Sequence, residues 1–133
     1  MKKSDWLDCL WETIEAHKSI AFEYGVHDCC TFVAKCLDTI HGSERLKQIL
    51  GEYHDEPTAK ALISSQGGLK ETVSYFLGSP LPPHHARRGD VLLVETDTGE
   101  SVGICIGDTV ACAGDGVVMF QRIKAKAAWC VDG

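Results

Sequence analysis

The chain has 133 residues, 44% of them apolar and 24% charged. That is the size and balance of one globular domain, and it excludes a disordered, collagenous or coiled-coil chain. Nineteen acidic against thirteen basic residues leave a formal charge of −6, which gives nucleic acid little electrostatic reason to bind.

The first half reads as helices. Ser4 is placed to cap a helix over 5–18, in which Leu7, Leu10, Trp11 and Ile14 recur at helical spacing. Trp6 and Trp11 do not share one tight face, so one of them is expected at the surface. An irregular stretch, Phe22 to Val26, leads to His27-Asp28. Asp28 is a good N-cap, and Cys29, Phe32, Val33, Cys36, Leu37 and Ile40 then mark a second amphipathic helix that Gly42 should stop. A short helix over 44–50 follows, with Ser43 as its expected cap and Gly51 at its end. Pro57 opens another over 57–65, closed by Gly67-Gly68, and a last helix over 69–77 stops at Gly78.

The period changes after Ser79-Pro80-Leu81-Pro82-Pro83. Val91-Leu92-Leu93-Val94 is a strand, Asp97-Thr98-Gly99 a hairpin turn and 101–106 the returning strand. Further strands are expected over 109–113, 117–122 and 128–131, separated by Gly107-Asp108 and Gly114-Asp115-Gly116. Helices followed by an antiparallel meander define an α+β domain over 1–133, with a helical part at about 4–78 and a sheet part at about 88–131.

No targeting or membrane segment is expected. Asp5, Asp8 and Glu12 interrupt the start of the chain, and the apolar region 101–120 is broken by Asp108, Asp115 and glycines. Seven cysteines are about 5% of the chain, below the level of a disulfide scaffold, and an odd count leaves at least one thiol unpaired. A reducing cytosol is the expected setting, with most cysteines acting as small core hydrophobes. The cysteines show no Cys-x-x-Cys pair, so no metal site or cofactor is expected.

Cys29 is the candidate nucleophile. A thiol in the first turn of a helix meets unpaired backbone N–H groups and the positive end of the dipole, a setting that favours thiolate. The same position also suits a half-buried residue with no chemistry at all.

Asp28-Cys29-Cys30-Thr31-Phe32, followed by Arg88-Gly89-Asp90-Val91-Leu92-Leu93 and by Ser101-Val102-Gly103-Ile104-Cys105-Ile106-Gly107, resembles the NlpC-type cell-wall peptidases of the papain-like superfamily. The run Phe22-Glu23-Tyr24-Gly25-Val26-His27, the Gly67-Gly68 pair and Ala128-Trp129 resemble an uncharacterised phage and prophage subgroup of it. The resemblance spans roughly residues 20–131. It implies a papain-like fold with N-terminal helices on a C-terminal antiparallel sheet and Cys29 as nucleophile, with His27 and Asp28 supporting the nucleophile helix. It places Ser101 where the family carries its base histidine, and serine cannot accept and return a proton near neutral pH. The family's third polar residue would fall at 111–113, where Ala111, Cys112 and Ala113 stand. No histidine follows His85. His84 and His85 should sit at the other end of the first hairpin, about 20 Å from Ser101 at ~3.3 Å per residue.

The resemblance therefore implies a phage or prophage tail-tip or tail-assembly protein, made in the bacterial cytoplasm and located in the virion tail. It would contact other tail or hub proteins, and peptidoglycan, while lacking peptidase activity. An active cysteine peptidase or amidase cutting peptidoglycan peptides with Cys29 is the alternative. His84-His85 beside Arg87-Arg88 reads as a solvated loop or a contact patch for an acidic partner.

Overall fold

The apolar periodicity around Asp28 produces the central element of the molecule. In the computed structural model, which describes residues 2–132, helix α2 spans Cys29–His41 and ends at Gly42 in the left-handed conformation that glycine adopts without strain. Its Phe32, Cys36, Leu37 and Ile40 are fully buried. Helix α1 (Trp6–His17) lays Leu10 and Ile14 against it. Three shorter helices complete the helical part: α3 (Arg45–Ile49), α4 (Glu56–Gln66) and α5 (Leu69–Leu77).

Five strands follow, β1 (Val91–Thr96), β2 (Gly99–Cys105), β3 (Thr109–Gly114), β4 (Gly116–Gln121) and β5 (Ala125–Trp129). They form one sheet in the order β4-β3-β2-β1-β5, with every neighbouring pair antiparallel. The chain is thus α+β, helices first and a five-stranded antiparallel sheet second. Val91, Leu93, Val102, Ile104, Ala111 and Trp129 face the helices, while Leu92, Val94, Cys105, Val110, Cys112 and Ala128 form a second cluster on the opposite face. Burial on both faces explains why β1 reads as an unbroken apolar run rather than an alternating one.

Several local expectations change. Asp5 rather than Ser4 stands at the N-cap of α1, with no side-chain hydrogen bond there. Asp38, not Ser43, satisfies the start of α3: its carboxylate accepts from the N–H groups of Arg45 and Leu46 at 2.7 and 3.0 Å. Asp55 caps α4 one residue before Glu56, so Pro57 is the second helical residue. The last strand lies at 125–129 instead of 128–131, and it pairs with β1 across the sheet instead of continuing the meander. Arg122 directs this crossing, donating to the carbonyls of Ala86, Pro83 and Gly107 at 2.6, 3.3 and 3.3 Å.

Three cysteines, Cys36, Cys105 and Cys112, are buried in the core; Cys9, Cys29, Cys30 and Cys130 are half-exposed. Cys29 and Cys30 pack partly buried against that core, so core packing accounts for five of the seven, as expected. All seven are free thiols. Trp11 is 41% exposed, while Trp6 packs beneath Lys2, whose ammonium lies 5.2 Å from the ring centre. Among the described residues no helix is long and apolar enough to cross a membrane.

Candidate functional site

Asp28 fixes the start of α2 through a reciprocal cap. Its carboxylate accepts the Thr31 N–H at 2.9 Å, and the Thr31 hydroxyl accepts the Asp28 N–H at 2.9 Å. The same carboxylate accepts the Gly25 N–H at 2.7 Å and the Tyr53 hydroxyl at 2.8 Å. Gly25 has φ +84°, and a Cβ there would press on the Tyr53 carbonyl at 3.1 Å. Asp28 is thereby surrounded by donors, and Cys29 becomes the first residue of a helix whose entry geometry is fixed on three sides.

His27 secures the other side of that entry. The ring is fully buried, and its Nε2 donates to the Gly116 carbonyl at 2.7 Å. It stacks on His17 at 5.5 Å between ring centres and meets Phe32 edge-on at 5.9 Å. The turn it holds is tied down twice more: the Gly116 N–H donates to the Ile20 carbonyl at 2.8 Å, and Asp115 accepts the Phe22 N–H at 3.2 Å.

Cys29 points into a cleft of about 530 Å³ between the helices and the sheet, within the range typical of small-molecule sites, ~300–1,000 Å³. Its thiol lies within hydrogen-bonding reach of the Cys30 thiol, the Val102 N–H and the Ser101 hydroxyl. The Cys30 contact, together with Val102 and Ser101, holds the Cys29 thiol below its ordinary value, although burial and the Asp28 charge oppose them. Cys30 moves the other way: its hydrogen bond to Cys29 and its burial push it well above the ordinary value. Of the two neighbouring thiols, Cys29 is thus the one that gives up its proton more readily. Burial pushes Cys112 up to about 12, and the Ser101 hydroxyl also reaches this thiol. Cys29 thus meets Cys30, the Val102 N–H and Ser101, and Ser101 in turn reaches Cys112 on the other side of the sheet.

All four expected site residues come together at the head of α2: Cys29 and Ser101 within the cleft, Asp28 as cap and His27 as strap. None of the six histidines, all of them within the described residues, lines the cleft. His41 lies at the far end of α2, about 18 Å along the axis at ~1.5 Å per residue. His54 is exposed beside Asp55. His84 and His85 form a 3₁₀ turn, and His84 lies beside Asp108 and Arg122, at the end of the sheet away from Ser101. Arg87 does not contribute to a free basic patch there, since it pairs with Asp90 and Asp132 at 3.2 and 3.3 Å.

Tyr53 and Cys112 join the site without a local sequence signal. Tyr53 is 25 residues from the carboxylate it reaches. Position 112 falls within the stretch 111–113, yet nothing in an apolar strand marks its thiol as a neighbour of Ser101. Gly103 is the residue that makes room: a Cβ there would collide with the Ala111 carbonyl and the Cys112 sulfur.

No curated protein matches the chain. Comparison with known families matches residues 1–131 to a domain of unknown function (DUF6950). The match spans the helices, the sheet and every residue of the Cys29 cluster, and the chain belongs to this family.

Proposed function

We propose that the chain is an NlpC-like, papain-like module of a phage or prophage tail, acting at the tail tip or in tail assembly without peptidase activity. One observation carries the inactive reading: Ser101, not an imidazole, stands on β2 beside the Cys29 thiol. Amide hydrolysis needs a group that protonates the departing amine, a role histidine fills and serine cannot. Support for the superfamily comes from the order of parts: a thiol at the head of a helix, a Gly-Asp pair before β1 and the expected base position on β2 facing that thiol. Its partners on this reading are other tail or hub proteins, with peptidoglycan as a contact surface, and its destination is the virion tail.

Quantitative mass spectrometry of purified particles tests the placement. The protein is expected in tail-containing fractions at a fixed ratio to tail proteins; its absence from particles and from tail-assembly intermediates would remove the tail reading. A second reading is favoured by the lowered Cys29 thiol: an active cysteine peptidase or amidase on peptidoglycan peptides. Turnover of such peptides, abolished by Cys29→Ala, would establish it in place of the inactive module.

A further inference from the structure

The cleft has a chemistry of its own, and it deepens the reading of Cys29 as a cleft thiol with no imidazole beside it, on which it rests. Part of its wall is apolar, Val33 and Leu37 from α2, Leu62 and Ile63 from α4, Val73 and Phe76 from α5, while Arg45, Gln48, Lys60 and Glu100 also line it. Burying such walls against water-filled space is unfavourable, and an apolar chain lying along them recovers that loss at ~25 cal/mol per Å². The nucleophile sits at one margin of this surface, with the Val102 N–H facing its sulfur.

The missing base restricts the reaction sharply. An amide carbonyl attacked by Cys29 must expel an amine, which leaves only when protonated, and no imidazole lines the cleft to protonate it. A thioester expels a thiolate, which departs unassisted because its conjugate acid has an ordinary value of about 8.5. We propose that the Cys29 cleft binds a fatty acyl chain delivered as a thioester and accepts its acyl group. The Cys29 thiolate attacks the carbonyl carbon, a bond forms between Sγ and that carbon, and the bond from carbon to the carrier sulfur breaks. The carrier thiolate leaves with the electron pair and takes up the proton that Cys29 released. One thioester is exchanged for another, with no oxidation and no water consumed. With no imidazole in the cleft to activate water, the acyl group stays on Cys29.

The probes are the decanoyl and acetyl thioesters of N-acetylcysteamine, offered to the full chain and followed by intact mass and peptide mapping. Decanoyl transfer is expected on Cys29, to persist through the assay, to be absent in Cys29→Ala, and to exceed acetyl transfer by about tenfold or more. Leu62→Glu, on the half-buried face of α4, is expected to bring the decanoyl rate down toward the acetyl rate while circular dichroism reports an unchanged fold. Equal decanoyl and acetyl rates would overturn the acyl-chain site, as would Cys29 labelled by iodoacetamide yet untouched by either thioester; both leave the inactive-module reading standing. Cleavage of peptidoglycan peptides by the same preparation would overturn that reading and the thioester inference with it.

Discussion

His27 donates from Nε2 to the carbonyl oxygen of Gly116 at 2.7 Å, joining residues 89 apart in the chain. The contact ties the segment two residues before the Cys29 thiol to the turn between β3 and β4. The carbonyl requires Nε2 to carry the hydrogen of this bond. A histidine held in this way, stacked on His17 and outside the cleft, fixes the start of α2.

His27→Ala should therefore act on stability. Loss of a buried ring and a stranded Gly116 carbonyl should together cost about 2–4 kcal/mol, read as a lower urea midpoint. Where the variant is folded, the pH dependence of Cys29 alkylation should match that of the parent chain. A midpoint of alkylation that moves with His27 would show that the ring, and not the Cys30 contact, controls the thiol.

Asp28 and Tyr53 form one unit with the Gly25 loop. Tyr53→Phe should cost about 1–2 kcal/mol, and Asp28→Ala should cost more, about 2–3 kcal/mol, because it also strands the Gly25 and Thr31 N–H groups. Since the two side chains share a bond, the double variant should lose less than the sum of the single losses. Strict additivity in chemical denaturation would mean the hydrogen bond contributes nothing.

Ser101 sets the reactivity of Cys29 through its hydroxyl. Ser101→Ala removes one of the hydrogen bonds that lower the thiol, so iodoacetamide labelling of Cys29 near neutral pH should slow by about threefold. Ser101→His should do the opposite, since an imidazolium beside the sulfur extends thiolate to lower pH. Labelling indifferent to both changes would place Ser101 outside the site.

Alkaline pH should destabilise the fold. Burial raises Cys36 and takes Cys112 up to about 12, and Cys30 is raised as well, first by its bond to Cys29. A thiol raised on folding keeps its proton in the native state while the unfolded chain releases it. Its contribution is complete below the ordinary thiol value and is lost as pH rises above it. At about pH 10 each fully shifted thiol should cost roughly 2 kcal/mol. The urea midpoint should fall between about pH 7.5 and pH 10; a constant midpoint would contradict the burial of these groups.

Local signals carried the helices well and the site unevenly. Asp28, the apolar run through Ile40 and Gly42 mark α2 because capping and 3.6-residue periodicity are properties of neighbouring residues. The boundaries that shifted involve competition at longer range. Asp38 reaches past Ser43 to cap α3, and Arg122 turns the chain so that β5 crosses to β1. The sequence also places Cys29 at a helix head without disclosing its neighbours. Tyr53 beneath Asp28, Gly116 above His27 and Cys112 beside Ser101 are contacts made by packing the sheet on the helices, and no spacing along the chain encodes them. Gly103 and Gly116 are the residues through which packing was most constrained, because a Cβ at either one would strike backbone.

The central claim is that Cys29 is a cleft thiol that gives up its proton more readily than an ordinary one and has no imidazole beside it to protonate a departing amine. The direct measurement is mass spectrometry of defined peptidoglycan peptides incubated with the full chain and with Cys29→Ala, alongside iodoacetamide labelling of the same preparation. The account predicts intact peptides in both samples, while Cys29 in the parent chain labels readily below the pH of an ordinary thiol. Peptide cleavage that disappears in Cys29→Ala would contradict it.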